Sequence, residues 1–264
     1  MDLGLKGKTA IVTGSTAGIG YAISAALAAE GARVVINGRT QPRVTSALDK
    51  IRQQVKNADL TGVAADLGTA AGVAEFIRQV PQADILINNL GIFEVKPFLE
   101  IPDSDWFRFF EVNVLSGVRL TRQYLPGMLK KNWGRIIFIS SESAQQIPVE
   151  MIHYGMTKTA QLAVARGVAQ SAVGTGVTVN SILAGPTASE GAGAFVESMA
   201  KQQGVTPEQI ERQFFASVRP TSLLKRFETP EEVAAVVAFV ASTQATTING
   251  AAVRAEGGVL SGIL

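Results

Sequence analysis

Short apolar runs alternate with longer segments of helical periodicity along most of this 264-residue chain, and the alternation limits the folds open to it. Several runs are nearly continuous in Val, Ile, Leu and Ala, which is typical of parallel strands covered on both faces. The strand candidates are residues 9–12, 33–37, 60–65, 85–88, 135–139, 177–182 and 251–255. The pattern predicts an α/β fold in which one doubly wound parallel sheet of about seven strands carries helices on both faces, a Rossmann fold.

The helical segments carry their own boundary signals. Gly31 follows the first helix, where a left-handed cap is wanted. Thr229-Pro230-Glu231-Glu232 supplies an N-cap, a first-turn proline and a capping-box glutamate. No linker or repeat interrupts the chain, so we expect one domain over residues 1–264. The exception is the stretch 186–227, which has no clear strand and two short helical segments, and such insertions are usually functional or disordered.

Composition excludes several kinds of function. Cysteine is absent and His153 is the single histidine, so we expect no disulfide, cysteine nucleophile or metal centre. The 24 basic and 22 acidic residues are spread along the chain, which favours a solvated surface over nucleic-acid binding. No apolar run approaches the about 20 residues that cross a bilayer, and residues 1–9 contain no apolar signal core. We therefore expect a cytoplasmic protein that binds neither nucleic acid nor membrane.

A glycine-rich turn follows the first strand candidate and opens a helix. Glycines at this place let the backbone approach a pyrophosphate, whose charge then meets the helix N-terminus. The alternative is an ordinary glycine-rich turn, and the spacing has one more residue between the first two glycines than many dinucleotide folds have. The predicted cofactor contacts in the segment Thr13 to Gly20 are Gly14, Ser15, Thr16, Gly18, Ile19 and Gly20.

Arg39 follows the second strand candidate. An acidic side chain there would bind the ribose hydroxyls of NAD, whereas an arginine accommodates the 2′-phosphate of NADP. The chain reads Ile36-Asn37-Gly38-Arg39-Thr40 and has no carboxylate at this point. Because a guanidinium can fork onto a phosphate, the sequence predicts NADP(H) in preference to NAD(H). The alternative is that Arg39 is a solvated loop residue.

Tyr154 and Lys158 are four residues apart in a segment that reads as helix, so both side chains project from one face. A phenol with a pKa of about 10 is a poor base at neutral pH, and a neighbouring ammonium lowers that pKa. Lowering it by about three units takes roughly 4 kcal/mol, which the lysine and an oxidised nicotinamide could supply together. Ser141 follows the strand candidate 135–139, so its hydroxyl can hold a substrate oxygen while Tyr154 transfers the proton.

Each of these three residues also has a plain structural interpretation. Tyr154 could be a half-buried core tyrosine, Lys158 a surface lysine and Ser141 a helix N-cap. Together with the glycine turn that precedes them, the three residues form a pattern that resembles the short-chain dehydrogenase/reductase family. The resemblance extends over nearly the whole chain, from Gly7-Lys8 to Glu256-Gly257-Gly258. The family places its catalytic serine thirteen residues before the tyrosine, which selects Ser141 over Ser140.

The resemblance implies further site residues. Asn113 would be the fourth catalytic member, which holds a proton-relay water behind Lys158, and Lys158 would also bind the nicotinamide ribose. The other implied cofactor contacts are Asp66 and Leu67 at the adenine, Asn89 and Gly91 in a cofactor-facing turn, Tyr154, and Gly185 and Thr187 beside the nicotinamide. Two positions depart from the family pattern, because Leu90 and Ala184 stand where an alanine and a proline are usual.

The segment 186–227 lies where the family places a substrate lid. Phe195 and Met199 are four apart, as are Ile210 and Phe214, a spacing that suits helices closing on a pocket and equally suits helices packed on the core. With Ile147, Pro148 and Val149 ahead of Tyr154, the lid suggests a largely apolar substrate. His153 could touch that substrate, although a hydrogen-bonded structural histidine is the simpler interpretation.

The leading hypothesis is an NADP(H)-dependent oxidoreductase that interconverts a ketone or aldehyde and a secondary alcohol by hydride transfer, with Tyr154 as the acid/base. A first alternative is 3-oxoacyl-[acyl-carrier-protein] reduction, for which Lys130-Lys131 would meet the acidic carrier. A second is an NADP(H)-binding regulator without catalysis, and a third is a purely structural interaction domain. The resemblance also implies a homotetramer or homodimer, in which the apolar ending 259–264 is buried in a neighbour or against its own lid.

Overall fold

The computed structural model describes residues 1–263, apart from the side chains at 191, 192, 194 and 195. The strands that it describes form one parallel seven-stranded sheet with the order β3-β2-β1-β4-β5-β6-β7. The strands are β1 Thr9–Val12, β2 Arg33–Gly38, β3 Leu60–Ala64, β4 Ile85–Asn88, β5 Gly134–Ser141, β6 Val177–Ala184 and β7 Ala252–Ala255. The predicted doubly wound fold is confirmed.

Helices cover both faces of this sheet. They are α1 Gly18–Ala29, α2 Gln41–Gln54, α3 Ala70–Gln79, α4 Asp103–Phe110, α5 Ser116–Lys131, α6 Ile152–Ser171, α7 Glu190–Gln203, α8 Pro207–Gln213 and α9 Pro230–Val240. Alternate residues of a strand point to opposite faces of the sheet. Ala10 and Val12 pack into the core under α1, α2 and α9, whereas Ile11 packs into the core under α3, α5 and α6. Because both faces are buried, the strands read as continuous apolar runs.

The boundary signals act as the sequence predicts. Gly31 has φ of +79°, the left-handed conformation that a residue after a helix commonly adopts. Thr229 and Glu232 form a complete capping box at the start of α9. The largest differences are at β5 and β6, which run two residues further than the apolar pattern indicates, because the register pairs Ser141 with Ala184 at their ends.

The segment 186–227 contains α7, α8 and a π-helical turn at Phe214–Val218. Its aromatic side chains pack on one another: the ring centres of Phe214 and Phe215 lie 5.1 Å apart, and each lies 5.2 Å from that of Phe227. Two predicted apolar positions fall on parts of the chain that the structure does not describe, namely the side chain of Phe195 and the residue Leu264. No helix in the described part of the chain is long and apolar enough to cross a membrane.

Strand order decides where a site can form. The chain reverses its direction of travel across the sheet between β1 and β4, and ligands of doubly wound sheets bind at such a switch point, beyond the carboxyl ends of the strands. The glycine turn follows β1 at this edge, and Ser141 ends β5, which is the neighbour of β4. The fold therefore brings the two halves of the predicted site to one crevice.

Candidate active site

The glycine turn after β1 has the shape of a phosphate cradle. Gly14 and Gly18 have φ of +60° and +56°, and a Cβ on Gly20 would lie 2.5 Å from Nδ2 of Asn89. The N-cap of α1 is Ala17, so no side-chain oxygen satisfies the N–H groups of the first turn, and that turn has no acidic residue. These free N–H groups and the positive end of the helix fit a dinucleotide pyrophosphate.

Two asparagines hold this turn in place. The N–H of Gly14 donates to Oδ1 of Asn37 at 3.1 Å, and the amide of Asn37 donates to Ala65 O beyond β3. The amide of Asn89 donates to the carbonyl oxygens of Thr13 and Gly14 at 2.9 and 3.2 Å. Asn89, for which a cofactor contact is predicted, uses its amide to fix the turn.

Other predicted cofactor residues surround the crevice in different ways. Ser15 is fully buried and its hydroxyl donates to Val12 O at 2.7 Å, so that hydroxyl is also structural. Asp66 is exposed and its Oδ1 accepts from Gly68 N at 3.0 Å, whereas Leu67 is buried. Thr16 and Ile19 lie half-buried on the turn. Thr187 is buried and donates to Gly185 O at 2.9 Å.

Basic residues beyond Arg39, which the sequence analysis did not single out, lie near the glycine turn. Arg39 is exposed, and within the described residues its guanidinium makes no hydrogen bond or ion pair with the protein. Arg43, in the first turn of α2, is 2.9 Å from Glu190 at the start of α7 and lines a cleft of about 720 Å³ together with Lys50. Its position four residues after Arg39 was the signal that could have identified it.

Lys158 joins α6 to β5. Its Nζ donates to Ile139 O at 2.8 Å, its own carbonyl oxygen accepts from Ser140 Oγ at 2.9 Å, and only 5% of the residue is exposed. The Nζ lies 5.5 Å from the ring centre of Tyr154, which is half-buried. The structure thus brings the predicted tyrosine and lysine together at the carboxyl end of β5.

Asn113 lies in a π-helical turn, Glu111–Leu115, between α4 and α5. Its Oδ1 accepts from Ile92 N at 2.8 Å and its Nδ2 donates to Thr157 Oγ1 at 3.0 Å, next to Lys158. A Cβ on Gly91 would lie 3.6 Å from both Asn113 Oδ1 and Lys158 Nζ. Asn113, Gly91 and Lys158 therefore border one space, and π turns of this kind are frequent at functional sites.

Ser141 has a partner that the sequence analysis missed. Its Oγ donates to Oε2 of Glu142 in a short hydrogen bond and accepts from Ser143 N at 3.1 Å, so it is also an N-cap. Nε of Arg219 donates to Oε1 of Glu142 at 2.9 Å, and the two side chains are only 7% and 5% exposed. Arg219 is 77 residues away in the chain, and no local pattern links it to Glu142.

Electrostatics at the site differ from the sequence expectation. Burial raises the pKa of Tyr154 above its ordinary value and the charge of Glu142 adds to this, while Ser141 and Arg219 act in the opposite direction with less effect. Burial lowers the pKa of Lys158 to about 8, against the opposing charge of Glu142. For the protein groups by themselves the net result is a raised pKa of Tyr154, which is opposite in direction to the lowering expected from the lysine and an oxidised nicotinamide together.

The two departures from the family pattern are accommodated. Leu90 is half-buried and packs against Gly14, because a Cβ built on Gly14 would lie 3.4 Å from Cα and 3.5 Å from Cδ1 of Leu90. The N–H of Leu90 donates to Thr13 Oγ1 at 2.9 Å. Ala184 is the last residue of β6 and pairs with Ser141 and with Ala255 of β7. The sheet therefore continues through the position where a proline would lack an N–H.

His153 is structural, as the simpler interpretation had it. It is fully buried, and its ring centre lies 4.0 Å from that of Phe109 and 6.1 Å from that of Trp106. Neither ring nitrogen has a hydrogen-bond partner among the described residues, so the histidine is not the satisfied one that was expected. Burial lowers its pKa, which keeps the imidazole neutral.

Comparisons with known proteins agree with this site. The short chain dehydrogenase family model matches residues 8–200. The uncharacterized oxidoreductase YvaG of Bacillus subtilis strain 168 is 48% identical over 263 residues, which cover 100% of each chain. The D-beta-hydroxybutyrate dehydrogenase of Cupriavidus necator is 33% identical over 96% of this chain and 98% of its own. L-sorbose reductase from Gluconobacter frateurii, solved in complex with NADPH and L-sorbose, covers 100% of both chains with a TM-score of 0.92 at 31% identity.

The chain therefore belongs to the short-chain dehydrogenase family. It is an oxidoreductase, and its nucleotide crevice is that of an enzyme that uses a nicotinamide cofactor.

The buried ammonium of Lys158 should make stability depend on pH. Its pKa in the folded protein, about 8, lies below the ordinary 10.5, so between these values the unfolded chain binds the proton more strongly and stability rises with pH. Below about pH 8 the full penalty of burying the charge remains. The free energy of unfolding of Lys158→Met relative to wild type should accordingly fall by about 2–3 kcal/mol between pH 7 and pH 10.

Urea unfolding at several pH values measures this difference. Lys130→Met is the matched control, because Lys130 is exposed and its removal should give a difference that does not change with pH. A pH-independent difference for Lys158→Met would contradict the lowered pKa.

Proposed function

We propose that this protein is an NADP(H)-dependent oxidoreductase that interconverts a ketone or aldehyde and the corresponding alcohol, with Tyr154 as the acid/base. The observation that supports this most is the meeting of Ser141, Tyr154 and the buried Lys158 at the carboxyl end of β5, in the crevice that the glycine turn borders. The bound cofactor would supply a hydride from C4 of its nicotinamide ring.

The residues of the chain would handle the oxygen and the proton. Tyr154, whose raised pKa keeps it protonated, donates its proton to the carbonyl oxygen as that oxygen gains negative charge. Ser141 positions the oxygen by a hydrogen bond. The ammonium of Lys158 stabilises the phenolate that Tyr154 leaves behind, and Asn113 holds the loop at Ile92 against α6 beside it.

Removing the phenol tests this assignment. Tyr154→Phe should lower kcat for ketone reduction by about 10²- to 10⁴-fold, the usual contribution of a general acid, while the Kd for NADPH stays within about threefold of wild type. The matched control is Tyr124→Phe, because the hydroxyl of Tyr124 donates to Val80 O in the core and has no place in the site. Its kcat should stay near the wild-type value.

A panel of ketones and alcohols, run with both nicotinamide cofactors, measures these rates. Wild-type protein that binds NADPH and turns over no member of the panel, with Tyr154→Phe behaving identically, would favour the regulator hypothesis instead.

The preference for NADP(H) rests on charge at the end of β2. Gly38 and Arg39 stand where an acidic residue would select NAD. The guanidinium of Arg39 makes no bond to the protein among the described residues, and Arg43 follows it in the first turn of α2. The solved complex of L-sorbose reductase, a relative of the same fold, contains NADPH.

Reversing the charge of Arg39 tests the preference. Arg39→Asp should weaken NADPH binding by about 10- to 100-fold, because a charge-assisted bond to the 2′-phosphate is replaced by repulsion, while the Kd for NADH should change little. Arg78→Asp, the same change on an exposed residue of α3, is the control. Fluorescence titration of the three proteins with both cofactors gives all six dissociation constants. Equal losses for the two cofactors, or equal kcat/KM of wild type with NADP⁺ and NAD⁺, would contradict the assignment.

We propose a free small molecule as substrate. Phe93 presents its ring edge-on to Tyr154 at 6.5 Å, and the exposed Ile147 lies beside Gly155, so the mouth of the site has an apolar side. Lys130 and Lys131, the predicted docking residues for a carrier protein, end α5 beside the amino end of β5, and Lys131 pairs with Asp84 at 2.9 Å. The length of β5 separates that edge from Ser141 by about 23 Å, so these two lysines do not lie at the mouth of the site.

We propose a homotetramer or homodimer. Four large apolar side chains are exposed together around the start and end of α4, and they are Phe98, Leu99, Phe107 and Phe110. Val259 and Leu260 of the apolar ending are instead buried within the chain, where Val259 O accepts from Thr221 of the segment 186–227 at 2.6 Å. Light scattering at micromolar concentration should give two or four chain masses, and Phe107→Glu should lower that mass; a monomeric wild type would contradict the assembly.

A further inference from the structure

We propose that the ketone reduced at this site carries a hydroxyl group on the carbon next to its carbonyl, and that this hydroxyl donates to the buried carboxylate of Glu142. The inference rests on the ketone reduction proposed above and names its substrate class.

The hydrogen bonds of Ser141 are the starting point. A serine hydroxyl has one hydrogen to donate, and in this structure that hydrogen bonds Oε2 of Glu142. The other oxygen of the carboxylate, Oε1, accepts from Nε of Arg219 at 2.9 Å and from Oγ of Ser143 at 3.2 Å. Glu142 is 4% exposed, so solvent contributes little to its hydrogen bonding.

Reduction changes what Ser141 must do. To hold the carbonyl oxygen of a substrate, Ser141 has to turn its hydrogen toward that oxygen, and Oε2 of Glu142 then loses its donor. A buried charged group that loses a hydrogen bond is destabilised. A plain ketone therefore either leaves the carboxylate short of a donor or forgoes the hydrogen bond from Ser141.

A ketone with an adjacent hydroxyl avoids this conflict. Its carbonyl oxygen accepts from Ser141 while its hydroxyl supplies the donor that Oε2 of Glu142 has lost. The two oxygens of such a substrate are on neighbouring carbons, which matches the direct contact between Ser141 Oγ and Glu142 Oε2. The ion pair with Arg219 orients the carboxylate, and Arg219 belongs to the segment 186–227 that borders the site.

The reaction itself is unchanged. The hydride of NADPH forms the new C–H bond at the carbonyl carbon, the C=O π bond breaks, and its oxygen takes the proton of Tyr154. The products are a vicinal diol and NADP⁺. The hydroxyl that meets Glu142 takes no part in bond making, so Glu142 determines specificity.

The test compares matched substrates with wild-type protein. Hydroxyacetone and its homologues of increasing alkyl length are each compared with the methyl ether, which draws electrons from the carbonyl similarly but cannot donate, and with the ketone in which CH₃ replaces OH. We expect kcat/KM with NADPH to be about 30-fold higher for the hydroxyketones, a difference that corresponds to about 2 kcal/mol.

Glu142→Gln identifies the acceptor. It keeps the shape of the side chain and removes its charge, so the preference for the hydroxyl should fall to about threefold, mainly through loss of activity with the hydroxyketones. Glu150→Gln is the matched control, because Glu150 is 3.7 Å from Arg219 without touching Ser141, and it should keep the wild-type ratio. If Glu142→Gln does not fold, the ratios of kcat/KM that wild-type protein shows for the hydroxyketone, its ether and the plain ketone test the inference.

The outcomes separate this inference from the proposed function. Equal kcat/KM for the hydroxyketone, its ether and the plain ketone, with all three reduced, would overturn the inference and leave ketone reduction in place. A preference that survives Glu142→Gln would overturn the role of Glu142. If NADPH binds and no ketone of any kind is reduced, the proposed function fails, and this inference fails with it.

Discussion

A buried ammonium group at the carboxyl end of β5 is the interaction on which this active site depends. Lys158 is removed from solvent, and its charge would be costly there without partners. The carbonyl oxygen of Ile139 supplies one, and Ser140 binds the backbone of Lys158 in return, so α6 is tied to the strand at two points. Because Tyr154 lies one turn earlier on α6 and Ser141 ends β5, the same contacts set the phenol against the serine.

The glycine turn is held at a fixed place relative to Tyr154 and Lys158. Its conformation is fixed by asparagines on neighbouring strands, Asn37 at the end of β2 and Asn89 after β4, rather than by its own side chains. The free N–H groups of α1 therefore stand at a defined place on the crevice edge. The proposed catalytic side chains lie two strands away, at the end of β5, and a dinucleotide bound in the crevice would span that distance from the phosphate cradle to Tyr154.

The sheet and part of the candidate site could be predicted from the sequence, for physical reasons. Strands buried on both faces leave continuous apolar runs, and helix caps and glycine turns have local signatures, so the sheet and Tyr154 and Lys158 were recognisable. The pair of Glu142 and Arg219 was not, because residues far apart in the chain meet only through tertiary packing. Asn89 resembled a cofactor ligand, and only its contacts show that its amide fixes the turn.

Electrostatics were the least accessible to sequence. The spacing of Tyr154 and Lys158 suggested a lowered phenol pKa, but spacing contains no information about burial or about Glu142, which together outweigh the other groups. The raised pKa suits a proton donor, and in the reverse direction Lys158 and a positively charged nicotinamide would together favour the phenolate.

The transfer of deuterium from NADPH labelled at C4 tests the central claim most directly. If Tyr154, Ser141 and Lys158 surround a carbonyl beside the nicotinamide, mass spectrometry of the alcohol will find the deuterium on the carbinol carbon, from one face of the ring only. An alcohol that carries no label whichever face of the ring is deuterated, or label lost to solvent, would contradict the account.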